Sequence, residues 1–87
     1  MKEELKEGIR ESKKTLQGYS WFGSLVKDAL RALDEIDRYV DDPKPEDKYR
    51  ITGIVHEMKA GLGPYASFVP VVVETLKKLE EWLKTQP

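Results

Sequence analysis

Phe22, Val26, Ala29, Leu33, Ile36 and Val40 recur at alternating steps of four and three residues. That spacing returns to one side of a helix with 3.6 residues per turn and would scatter over both faces of a strand. Leu25, Leu30 and Ala32 widen the stripe, so this segment must bury a broad apolar face against other elements. The same rhythm recurs three times. Leu5, Ile9, Ser12 and Leu16 mark a narrower stripe before it; Ile51, Val55, Met58 and Leu62, then Val69, Val72, Leu76, Leu79 and Leu83, mark two after it. No partner exists for the β-prone run Val71-Val72-Val73.

The breaks are short and chemically distinct. Gly18 suits a left-handed stop, and Ser20 suits the cap of the second helix. Asp41-Asp42-Pro43-Lys44 ends that helix, because the residue before a proline avoids the helical region. Pro45 fits a first helical position, with Glu46 and Asp47 at the positive end. Gly61 or Gly63 stops the third helix, and Ser67 is the expected cap of the fourth, which puts Pro70 in its first turn. The expected helices cover 2–17, 21–41, 45–62 and 67–84. Short breaks join antiparallel neighbours, so the predicted fold is an all-α, up-down-up-down antiparallel four-helix bundle in a single domain over 1–87. With Gly8 in its interior and Ser12 in its stripe, the first helix is the expected weak member.

The chain has 87 residues, which is room for one modest core. Charged residues are 36% of it, yet the net charge is only -1, which leaves no long-range field for nucleic acid or anionic lipid. No apolar run approaches the roughly 20 residues of a bilayer span, and the charged opening is unlike a secretory signal. A soluble chain, a monomer when free, is expected. Cysteine is absent, which removes thiol chemistry, disulfides and zinc fingers.

Catalysis finds little footing. His56 is the single histidine, and a general base needs an orienting partner. Thr52 and Lys59 orient an imidazole poorly, and Glu57 lies about 100° away around the helix. The residue three before His56 is Gly53, so the Glu-x-x-His pattern of carboxylate-bridged metal bundles is missing. Asp34, Asp37 and Asp41 form a carboxylate column that reads as a solvated charged edge. Gly61-Leu62-Gly63-Pro64 lacks the strand and lysine of a phosphate loop. No catalytic residue, no cofactor and no metal is expected.

Apolar surface in excess of the seams is what remains. Opposite the third helix's core stripe stand Tyr49, Gly53, His56 and Ala60, where an ordinary solvent face would carry Glu, Lys and Arg. A helical glycine costs ~1 kcal/mol relative to alanine, and close approach of another chain would justify Gly53. Phe68 and Val71 continue the excess into the fourth helix, with Thr75 and Trp82 further along; Trp21, Leu25, Ala32 and Tyr39 flank the second. Such flanks either broaden the internal core or form a face for a protein partner. The expected function is therefore a non-catalytic protein-binding module with Tyr49, Gly53, His56, Ala60, Phe68 and Val71 as its contact residues. The alternatives are a small-molecule pocket near Tyr65, Met58 and Trp21, or a scaffold with no ligand.

The idealised blocks Leu30-Arg31-Ala32-Leu33-Asp34-Glu35-Ile36 and Glu74 through Lys84 resemble computationally designed helical-bundle miniproteins. The resemblance is one of style across the chain. It implies that departures from the ideal, at Tyr19–Gly23 and Thr52–Val73, mark functional surface.

Overall fold

The computed structural model describes residues 2–87 and leaves Met1 outside. Four α-helices account for most of the chain: α1 (Lys2–Gln17), α2 (Ser24–Asp41), α3 (Lys48–Leu62) and α4 (Pro70–Leu83). Three 3-10 turns, Ser20–Phe22, Pro45–Asp47 and Gly63–Phe68, link them. No strand occurs among the described residues. The helices pack α1 on α4 and α2, and α3 on α4 and α2, in a body of 37 × 21 × 19 Å.

The core is the sum of the four stripes. Leu5, Ile9 and Leu16 of α1, Leu33 and Ile36 of α2, Ile51 and Val55 of α3, and Val72, Leu76 and Leu79 of α4 are almost fully enclosed. Each such side chain contributes roughly 1.5–3 kcal/mol relative to exposure. Tyr39 joins them as an extension of the core, meeting the half-buried ring of Trp82 edge to face at 5.7 Å. Burial pushes the Tyr39 phenol above its ordinary value of 10.0, with Asp47 adding to the shift. Of the flanking residues named from sequence, Tyr39 thus broadens the core, and Trp82 packs half-buried against it.

Several boundaries differ from expectation. Gly18 is not left-handed; Gly23, at φ 81°, is the single positive-φ residue among those described. Ser20 opens a 3-10 turn instead of capping α2, which starts at Ser24 behind Gly23. Phe22 therefore falls outside the helix whose seam it seemed to begin, and its ring is exposed. Neither Gly61 nor Gly63 halts the chain's right-handed course, since Gly63 keeps helical angles and passes into the turn ending at Phe68. Ser67 lies within that turn; α4 begins at Pro70, whose missing N–H costs nothing at a first helical position.

Gly8 has a reason that the sequence hides. A Cβ there would sit 2.7 Å from Thr75 Oγ1, so the glycine lets α1 and α4 approach closely. Thr75 Oγ1 donates to the Val71 carbonyl at 2.8 Å, which holds it in place. Ser12, at 0% exposure on the same helix, has no hydrogen-bond partner for its hydroxyl. The column of Asp34, Asp37 and Asp41 faces α1 and is neutralised from there. Lys6 Nζ lies 2.8 Å from both Asp37 and Asp41, and Lys13 pairs with Asp34.

Candidate functional site: the aromatic pole

Two uncharged stretches, 15–26 and 60–73, build one end of the molecule. The first carries the turn Ser20–Phe22 and the start of α2; the second carries the end of α3, the turn Gly63–Phe68 and the start of α4. Between them lies a pocket of about 230 Å³. Its floor is aliphatic: Leu16, Val26, Leu62 and Val69, all buried. Its rim is ringed by Tyr19, Trp21, Phe22, Tyr65 and Phe68, with Leu25 completing it.

The rings hold one another. Trp21 stacks on Phe22 with centroids 4.3 Å apart, Phe22 meets Tyr65 edge-on at 5.6 Å, and Tyr19 lies 6.2 Å from Phe22. Aromatic pairs in these geometries contribute ~0.5–1.5 kcal/mol beyond area burial, so the rim is a supported surface. Backbone bonds fix the turn beneath it, with Phe22 N–H donating to Tyr19 O at 2.9 Å and Gly23 N–H to Ser20 O at 3.1 Å. Tyr19 Oη reaches the Phe68 carbonyl only at 3.5 Å, beyond a normal hydroxyl bond. Despite this mutual packing, Trp21 remains 75% exposed and Phe68 64%. No ionisable carboxylate or amine lines the pocket. A second groove, between α2 and α3, shares Leu25 and Leu62 with it and carries Asp28, Glu57 and Met58.

The residues expected to make contact are only partly brought together. Tyr49, Gly53, His56 and Ala60 are exposed along the outer face of α3, and a Cβ on Gly53 would meet nothing within 4 Å. Tyr49, at 89% exposure, stands at the opposite end of α3 from the pole and has no aromatic neighbour. Phe68 sits on the pole rim, and Val71 is half-buried against the core. Of the residues named for a small-molecule pocket, Tyr65 and Trp21 line this one, while Met58 lines the α2–α3 groove.

His56 lies 3.8 Å through Nδ1 from Glu80 Oε2, whose other oxygen accepts from Lys59 Nζ at 2.8 Å. Lys59 takes one oxygen of that carboxylate, the other stands beyond hydrogen-bond distance of the imidazole, and the ring itself stays largely exposed. Among the described residues, no group of three or more His, Asp or Glu side chains is placed to hold a metal ion. Among the described residues, no helix is long and apolar enough to cross a membrane.

The signal for the pole was present in the sequence as an absence: charges stop at Lys14 and resume at Lys27, then stop at Lys59 and resume at Glu74. Counting charge gaps, not apolar periodicity, locates it. No family profile, curated protein or solved structure matches the chain.

Proposed function

We propose that this chain is a non-catalytic protein-recognition module, an up-down-up-down antiparallel bundle that is a monomer when free and meets a protein partner through its aromatic pole. It takes no cofactor, and neither nucleic acid nor membrane is its partner. One observation carries the reading: of the six large apolar side chains left exposed among the described residues, Trp21, Phe22, Leu25, Tyr65 and Phe68 surround a single pocket, and only Tyr49 stands elsewhere. Scattered exposed hydrophobics are ordinary, whereas a contiguous aromatic patch on a rigid frame is where binding energy concentrates. The pairs Lys6 with Asp41 and Lys13 with Asp34, and likewise Lys48 with the Gln86 carbonyl and Lys59 with Glu80, run in opposite chain directions, which supports the antiparallel order.

The test is to pan a displayed library of folded domains against the protein and sort the enriched clones by variant. Clones that lose binding to Trp21→Ser and Phe68→Ser but keep it with Gly53→Arg and Tyr49→Ala support the pole. Clones with the reverse pattern move the contact face to the outer side of α3.

A further inference from the structure

The walls of the pole pocket narrow what the partner can insert. We propose that it is the receptacle for one uncharged ring side chain, up to the size of an indole, projecting from the partner's surface. This rests on the pole being the recognition face, and it names the chemistry of the group that enters.

Volume comes first. An apolar cavity of about 150 Å³ holds a benzene molecule, and this pocket has about 230 Å³, room for a second fused ring. Its aliphatic floor offers no hydrogen-bonding group, so a polar tip reaching it would lose its water without compensation.

Charge decides between the two occupants that an aromatic rim admits. Rings of this kind also cage cations, attracting them through the negative faces of the rings. Here the pocket wall offers a cation no counter-charge. Both stretches that build it are free of charge, and the residues bounding them are Lys14, Lys27, Lys59 and Glu74. The carboxylates of Asp28 and Glu57 line the neighbouring groove, not this pocket. Trp21 and Phe22 stack on each other, which commits one face of each ring. A cation would give up its hydration in a pocket with no carboxylate in the wall to receive it, while a neutral ring gives up nothing comparable.

The probes are N-acetyl-tryptophanamide, free indole and N-acetyl-argininamide, each titrated into the full chain while the methyl signals of Leu16, Val26, Leu62 and Val69 are followed by NMR. The tryptophan derivative should shift these four sets saturably in the millimolar range, with the arginine derivative at least tenfold weaker. Leu25→Trp, which adds a ring at the exposed rim, should abolish the shifts while leaving the helical spectrum intact; Phe68→Ser, at an exposed site, should weaken them severalfold. An arginine derivative binding as well as the tryptophan derivative would overturn the proposal in favour of a cation cage. Indole entering without N-acetyl-tryptophanamide would overturn it in favour of a free small molecule, and no methyl shift with any ring would remove the receptacle altogether. In each of these cases the library test on Trp21 and Phe68 still reads whether the pole is the contact face.

Discussion

The α1–α2 face and the aromatic pole handle their surfaces in opposite ways. Along α1 and α2, Lys6 and Lys13 reach across to Asp34, Asp37 and Asp41, so the charged groups of one helix are answered by the other. At the pole the chain places rings around an aliphatic floor and leaves Trp21 and Phe68 mostly in water. The first surface is complete within the chain. The second has apolar area that no other described residue covers, and covering it would stabilise a complex by the same effect that stabilises the core. The two also differ in what they ask of folding: the pole can lose a ring with little consequence, because the floor beneath belongs to helices held by the stripes.

That contrast breaks first under truncation of side chains. Leu33→Ala, at a fully enclosed site, should cost about 2–5 kcal/mol in denaturant unfolding. Phe68→Ala, whose ring has no aromatic pair, should cost less than about 1 kcal/mol, and Trp21→Ala, which loses its stack on Phe22, up to about 1.5 kcal/mol. A pole substitution as damaging as the core one would mean that the rim is part of the folding core and is not held in reserve for a partner.

Two of the helical glycines, Gly8 and Gly53, sharpen the contrast between covered and open surface. Gly8→Ala gains roughly 1 kcal/mol of helix propensity but drives a Cβ into Thr75, whose hydroxyl is tied to Val71; overpacking of that kind costs about 1–3 kcal/mol. A net loss of about 1 kcal/mol is expected, and combining it with Thr75→Ala should recover much of it. Gly53→Ala meets nothing and should stabilise by up to about 1 kcal/mol. Gly53→Arg should likewise leave the fold intact. Equal signs for Gly8→Ala and Gly53→Ala in thermal melts would contradict the close approach of α1 and α4.

How much of this could be read from residues alone follows from what periodicity encodes. The stripes of α1, α3 and α4 named the buried residues, because a four-three spacing has one helical solution. Phe22 misled for the same reason: the spacing runs one turn past the helix, and a pattern cannot say where hydrogen bonding starts. Ser20 and Ser67 resembled caps, but the turns around them close through backbone bonds, Gly23 N–H to Ser20 O and Val69 N–H to Ala66 O, so no hydroxyl was needed. Gly8 looked like a defect because its partner lies far along the chain, on α4. The outer face of α3 and the rim residue Phe68 were both named from the missing charge on their segments. That Phe68 joins Trp21 and Tyr65, and not Tyr49, depends on how the helices pair, which local spacing does not contain.

Electrostatics should give the smallest effect, and its sign differs between the acid and alkaline limbs. Lys6 donates hydrogen bonds to Asp37 and Asp41, which raise its ammonium above the ordinary 10.5, while the bond from Lys6 holds Asp41 below the usual 3.8. A group whose folded value is raised contributes fully below its unfolded value and loses that contribution as pH climbs through the folded one. Lys6 and the buried Tyr39 phenol both behave this way, so stability should decline from about pH 10 upward. Asp41, lowered in the fold, contributes above its unfolded value and loses that contribution as pH falls through the folded one, below about pH 4. Between these limbs the curve should be nearly flat as far as these groups are concerned. Lys6→Met should shallow both limbs, and Tyr39→Phe only the alkaline one. At neutral pH a double-mutant cycle between Lys6 and Asp37, both partly exposed, should yield about 0.2–1 kcal/mol and shrink with added salt. None of this involves the pole: with no charge in its lining, ring entry into the pocket should not weaken as salt is added, and an affinity that falls with rising salt would place a charged group of the chain in the contact.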